Sequence, residues 1–510
     1  MHVQTLEINW HDQQAVYSLD FESVILPPQG PDGRYRLASA GADSHVRIWE
    51  LTAKTESKAE DSVELDTPQP RTKVQVSFLS ELKRHTGPVN VVRWHPKGGV
   101  LASAGDDATL IIWERSDPGQ GSSTFGEDTS ANIETYRVNQ MLLGHRNEIY
   151  DLAWSPDGRY LITGSIDNTA RLWDWTTRQC IHVFTNHSHY VQGVCWDPLA
   201  EFVATQSSDR SLQVHSYTTS STAKESITIK SMPRQIKIAA NKARAAIGNG
   251  NSVSIEKAAA VSKPSNVAKS FRLYQDENLL SFFRRLTFTP DGAFLISPAG
   301  IWTNSVLEPK SDKENVEPAS TGDNTNEGIK ETQRQVNTVY IFGRNGLDKP
   351  PIAHLPNHRK PPIAVRCNPI KYTLPQSSDT LPLYTLPYRY LYSVATLDAL
   401  IIYDTQSTTP TCFLSGLHYS SLTDMAWSPD GSTLIVSSTD GYCSVLYFAP
   451  SERLEPCEPV PIPQQQTTPL SSASSTSTKP ASVIPPSIAS PAPVVKQKKR
   501  IVPTFVSALK

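Results

Sequence analysis

A chain of 510 residues with 48 basic and 50 acidic side chains has a formal net charge of −2, which excludes whole-molecule electrostatic attraction to nucleic acid. Its length would ordinarily divide into two or three domains, unless a closed repeat gathers the chain into one ring. The six cysteines (Cys180, Cys195, Cys367, Cys412, Cys443, Cys457) show neither a CxxC pair nor a Cys/His spacing suited to zinc, so reduced thiols are expected rather than a metal centre or a disulfide framework. The start, MHVQTLEINWHD, has no basic n-region and no apolar h-region, and no run approaches the ~18 apolar residues of a membrane helix. A soluble, intracellular chain is expected, with no membrane contact.

In chain order, Val3 to Ile8 alternates apolar and polar side chains and reads as a lone strand. Ala15 to Leu51 is the first strand–turn–strand unit, with LASAGADSHVRIWEL as its second half. RHTGPVNVVRWHPKGGVLASAGDDATLIIWE (84–114) is the second, and GHRNEIYDLAWSPDGRYLITGSIDNTARLWDW (144–175) the third. NHSHYVQGVCWDPLAEFVATQSSDRSLQVHSY (186–217) is the fourth. The fifth is degenerate: FFRRLTFTPDGAFLISPAG (282–300) is followed, after an insert, by TVYIFGR (338–344). The sixth joins HRKPPIAVRCNP (358–369) to LYSVATLDALIIYDT (391–405), and the seventh runs from Leu417 to Phe448. Turn residues such as Pro156-Asp157-Gly158 and Pro429-Asp430-Gly431 separate the strands.

The copies keep two independent spacings. His85 to Trp94, His145 to Trp154, His187 to Trp196 and His418 to Trp427 each span nine positions; Asp43 to Trp49, Asp107 to Trp113 and Asp167 to Trp173 each span six. These residues resemble the WD40 family, and seven units imply an all-β, seven-bladed WD40 β-propeller, with Val3–Ile8 supplying the outer strand of blade seven. The resemblance implies structural tetrads inside the blades. His85, Asp107 and Trp113 belong to one, and His145, Asp167 and Trp173 to the next, completed by Thr163 or Ser165. A catalytic His/Ser/Asp triad is the competing reading. It fails because the trio recurs blade after blade, whereas an enzyme needs one cleft and one nucleophile. No GxxxxGK[ST] or HExxH motif is present, so no catalytic, cofactor or metal site is expected.

The ring is expected over residues 1–448, interrupted by inserts at about 52–73, 115–135, 218–272 and 304–336, of which 52–73, 115–135 and 304–336 read as surface loops or disordered excursions. The insert at 218–272 is basic, and two readings stand: a solvated loop, or a surface touching DNA or an acidic partner. From 449 to 495 the chain is rich in Pro, Ser and Thr and is expected to be a disordered linker with proline-directed phosphorylation sites at Thr468 and Ser490. Residues 496–510 differ. There a basic cluster leads into alternating apolar residues, Lys498, Lys499, Arg500, Ile501, Val502, Pro503, Thr504 and Phe505. This island reads as a docking peptide that adds a strand to a partner's sheet; KQKKR alone would also serve as a nuclear import signal.

Segments unlike ordinary blade text narrow the choice. MHVQTLEINWH, SFFRRLTFTPDGAFLISPAG (281–300), PPIAHLP (350–356), LPYRYLYSVAT (386–396) and STDGYCS (438–444) together resemble the WD40 subunits (the B subunits) of chromatin assembly factor 1, of fungal type. They are similar, more weakly, to the histone-regulator WD40 chaperones. The resemblance covers roughly residues 1–448. It implies a nuclear scaffold in the deposition of histones H3 and H4 during replication and repair. Its partners would be a large subunit, a small WD40 histone-binding subunit and the anti-silencing histone chaperone, with DNA met only indirectly or weakly. KKRIVPTF is similar to that chaperone's docking motif. The alternative is a WD40 substrate receptor or scaffold of a ubiquitin-ligase or signalling complex, which the fold alone equally permits.

Overall fold

The structure, a computed structural model, describes residues 2–23, 33–55, 72–116, 132–219, 227–231, 237–239, 270–308, 330–374, 383–449 and 452–457. Among the described residues seven four-stranded antiparallel sheets follow one another, and residues 1–457 pack as one unit. Blade one is typical, with Val16–Phe21 innermost, then Arg34–Gly41, His45–Thr55 and Thr72–Lys83 outermost. The innermost strands of the other blades begin at Val89, Ile149, Val191, Thr287, Pro362 and Leu422. Each touches the next around the axis, and Leu422–Trp427 touches Val16–Phe21. The ring therefore closes.

Closure uses both ends of the ring. His2–Leu6 is the outer strand of blade seven, pairing antiparallel with Cys443–Tyr447 from His2↔Tyr447 to Leu6↔Cys443. This ties the first strand to the last, so one blade is built from both ends of the ring and the circle of blades is closed.

Alternation within the strands explains where the core lies. Inward positions of neighbouring blades meet, so the hydrophobic residues separate into seven clusters, each filling one wedge between two blades. Leu152, Trp154 and Trp173 of blade three, for example, pack against Val91, Ala102 and Ile112 of blade two. The shared turn before each second strand has a steric demand of its own. Gly158 takes φ +78°, and a Cβ there would approach His95 Nε2 to 2.0 Å.

Four expectations need correction. The 52–73 insert begins and ends as strand, His45–Thr55 and Thr72–Lys83 staying in register out to Thr55↔Thr72. The 304–336 insert is partly strand: Phe294–Glu308 and Lys330–Gly343 stay in register out to Glu308↔Lys330. A two-stranded ladder needs only backbone pairing, which a polar β-former such as Thr303 supplies as well as an apolar one does. The 218–272 insert is likewise not all loop. Ile227–Ser231 is the outer strand of blade four, and Lys237–Ala239 pairs with Ser270–Arg272. Finally, order extends past Phe448. The Thr373 N–H bonds to the Glu455 carbonyl and the Cys457 N–H to the Lys371 carbonyl, both at 2.9 Å, while Leu454 packs on the wedge between blades six and seven. The composition of 452–457 gives no sign of this strap, since its bonds are made by the backbone and Pro456 needs no N–H to lie beside Tyr372.

Candidate functional site

The predicted polar residues assemble inside the blades. His85 Nδ1 lies 2.8 Å from Asp107, its Nε2 lies 2.7 Å from Ser103 Oγ, and Trp113 Nε1–H donates to that hydroxyl at 2.8 Å. In blade three the corresponding distances are 2.9 Å from His145 to Asp167, 2.7 Å from His145 to Thr163 and 2.9 Å from Trp173 to Thr163. Thr163 therefore completes this tetrad, not Ser165. Leu161 pairs with Trp173 across the sheet, which brings the indole over Thr163. Ser165 sits two residues further, at the turn, and donates to the Asn147 carbonyl at 3.1 Å.

Each aspartate also pins its turn. Asp43, Asp107, Asp167 and Asp209 each accept the N–H two residues on, across a residue held at positive φ (Ser44, Ala108, Asn168, Arg210). Burial works against ionisation of Asp107, yet the bond from His85 and the backbone N–H groups hold its carboxyl below the usual range. Burial lowers His145, leaving a neutral ring that donates from Nδ1 and accepts at Nε2. The groups are matched to one another and shielded from solvent, an arrangement that stiffens the blade and offers no substrate access.

Blades one and seven depart from the sequence spacing in opposite ways. Blade one has a full set, with His11 2.7 Å from Asp43, and Ser39 taking both His11 (2.8 Å) and Trp49 (2.8 Å). Sequence spacing missed His11 because 28 positions separate it from Ser39, against 18 between His85 and Ser103. In blade seven the spacing of 18 seen from His85 to Ser103 leads from His418 to Val436, which has no hydroxyl to offer. His418 keeps only its bond to Asp440, at 3.1 Å.

The largest polar assembly leaves no mark in these spacings. Arg285, from the FFRRL text of blade five, is fully buried on the axis. Its guanidinium donates to the carbonyls of Tyr17 (2.9 Å), Asn90 (2.8 Å) and Thr423 (3.2 Å), which belong to blades one, two and seven. It pairs with Asp424 at 2.9 Å and lies 3.7 Å from Asp151 of blade three. Asp424 also receives Arg93 at 3.1 Å and Arg366 at 3.3 Å. Phe283 covers the guanidinium at 3.9 Å from its ring centroid. Arg284 turns the other way, its Nε–H donating to Gln192 at 2.7 Å, and burial pulls its pKa down to about 10. Its backbone presses on blade four so closely that a Cβ on Gly193 would meet the Arg284 carbonyl at 1.9 Å. One blade thus holds five together, and the axis is plugged rather than open. The doubled arginine next to two phenylalanines was the available signal.

Between blades five and six lies a groove of about 560 Å³, lined by His358, Tyr403 and Phe413 among others. Among the described residues no group of three His, Cys, Asp or Glu side chains is placed to hold a metal ion. No helix among them is long and apolar enough to cross a membrane. All six cysteines are free thiols. The expected docking segment, Lys498 to Phe505, lies outside the described residues.

Comparison with known proteins agrees with this geometry. A family model described as the CAF1B/HIR1 beta-propeller domain matches residues 1–245 and 318–453. The proteins named as the B subunit of chromatin assembly factor 1 in Gallus gallus and Schizosaccharomyces pombe are each 35% identical to the chain over 89% of its length, covering 68% and 88% of their own. The Saccharomyces cerevisiae protein of that name is 32% identical over 87% of the chain and 85% of its own length.

Proposed function

Because the chain belongs to the CAF1B/HIR1 β-propeller family, we propose that it is a histone-chaperone subunit, a non-catalytic adaptor in the deposition of histones H3 and H4 onto DNA during replication and repair. The observation that carries this reading is the extent of the likeness. The S. pombe protein named as the B subunit of chromatin assembly factor 1 matches over 88% of its own length, well beyond a shared blade motif. The geometry supports an adaptor: the polar sets that might do chemistry are enclosed within blades, and the axial arginine closes the channel.

On this reading the ring holds the large subunit of chromatin assembly factor 1, alongside the small WD40 histone-binding subunit, and histones arrive through the complex. The tail binds the anti-silencing histone chaperone. Lys499 and Arg500 pair with its acidic groups, Ile501 and Pro503 fill an apolar groove, and the backbone at Val502 joins a sheet edge. Lys498, Thr504 and Phe505 extend the motif on either side. The place of work is the nucleus, and DNA is met only indirectly.

A truncation tests the division between ring and tail. The strap at 452–457 belongs to the ring, so the chain should be cut after Cys457 rather than at Phe448. The shortened chain is expected to capture as much large subunit as the full chain does. Loss of the large subunit would move that contact onto the tail.

A further inference from the structure

The axial plug is overlaid by side chains that no polar support or blade wedge explains. Each inner strand starts at the same end of the axis, and Tyr17, Tyr150, Tyr190 and the lip 279–283 all lie at or close to such a start. Phe283 covers Arg285, Tyr150 meets Phe282 at 5.9 Å and Phe283 at 6.5 Å, and Tyr17 meets Phe283 at 6.1 Å. Above this floor apolar surface faces water: Leu280 is 85% exposed, Phe282 56% and Tyr190 39%. The lip is not a loose loop. Gln192 donates to the Phe282 carbonyl at 3.3 Å, and the Ser281 N–H bonds to the Leu279 carbonyl at 2.8 Å, so Leu280 is held at the tip of an ordered turn. The lip therefore keeps a leucine and a phenylalanine out in water, where neither gains the benefit of burial.

Two carboxylates stand beside the aromatic floor: burial, and after it the charges of Asp106 and Glu148, push the Tyr150 hydroxyl pKa up. Asn90 donates to Asp106 at 2.7 Å and to the Ile149 carbonyl at 3.0 Å, which draws Asp106 up to the strand Ile149–Trp154, which carries Tyr150 and which Glu148 immediately precedes. Glu148 Oε2 is buried and has no hydrogen-bond partner among the described residues. Burial raises the Asp106 pKa against the Asn90 bond that lowers it, and the acidic neighbours Glu148 and Asp107 raise it further. Aromatic faces next to under-compensated carboxylates are what a lysine or arginine side chain seeks, since ring and carboxylate both attract the cation.

We infer that this end of the ring is a docking surface for a basic protein segment. A cationic side chain sits against Tyr150 and Phe282 and between Asp106 and Glu148, while an apolar neighbour covers Leu280. The acidic rim disfavours nucleic acid. The surface is distinct from the tail motif and does not depend on the proposed partners.

The test uses the full chain and a labelled peptide of about 15 residues in which Lys and Arg alternate with Ala and Leu, with a control carrying Gln for every Lys and Arg. Two double variants are compared by fluorescence anisotropy, Asp106→Asn with Glu148→Gln, and Leu280→Ser with Phe282→Ser. The basic peptide is expected to bind the unaltered chain, and the neutral control to bind about tenfold more weakly or worse. Each double variant should lose a similar factor while its melting temperature stays put. Unchanged binding by both variants, or equal binding of the neutral control, overturns the inference. So does a loss of self-association in the Leu280/Phe282 variant without loss of peptide binding, since the occupant is then a second copy.

Discussion

Replacing Arg285 with alanine is expected to destabilise the ring by roughly 3–5 kcal/mol, the cost of stripping one partner from a buried ion pair. Arg285 and Asp424 are both fully buried and 2.9 Å apart. The substitution also leaves the carbonyls of Tyr17, Asn90 and Thr423 without that donor. Asp424 retains Arg93 and Arg366, so its charge stays partly balanced and the loss is not larger still. Lysine should rescue little, because one ammonium cannot present donors in three planar directions as a guanidinium does. Denaturant unfolding followed by tryptophan fluorescence measures the change. A loss below ~1 kcal/mol would show that water relieves the site and that the axial plug is not a support.

The second large effect concerns the tail. Ile501→Ala combined with Pro503→Ala is expected to abolish binding of the tail peptide to the anti-silencing histone chaperone. If each side chain contributes ~1.5 kcal/mol of apolar burial, the pair costs about two powers of ten in affinity. A wild-type peptide of weak to moderate affinity then drops out of calorimetric range. The ring should melt unchanged, since residues 1–457 pack as their own unit. Undiminished binding by the double variant would contradict the docking assignment.

Most of the ring was legible because its signals are local. The spacings His145–Trp154 and Asp167–Trp173 report strand and turn lengths that hydrogen bonds then enforce. What escaped involves long range or missing side-chain signals. Choosing Thr163 over Ser165 depends on the cross-strand register Leu161↔Trp173, which no single strand reveals. His11 was hidden because 28 positions separate it from Ser39, where blades two and three have 18. The reach of Arg285 to four other blades is a property of the closed ring alone. The strap at 452–457 makes backbone bonds and carries almost no compositional mark.

A ring stiffened blade by blade and locked at its axis suits an adaptor, which must hold partners in fixed relation while they exchange cargo. Identification of the proteins that purify with the tagged chain tests the adaptor function most directly. The large subunit and the small WD40 subunit of chromatin assembly factor 1 are expected to co-purify, together with histones H3 and H4 and the anti-silencing chaperone. Recovery of a ubiquitin-ligase adaptor with no histone chaperone and no histones would contradict it.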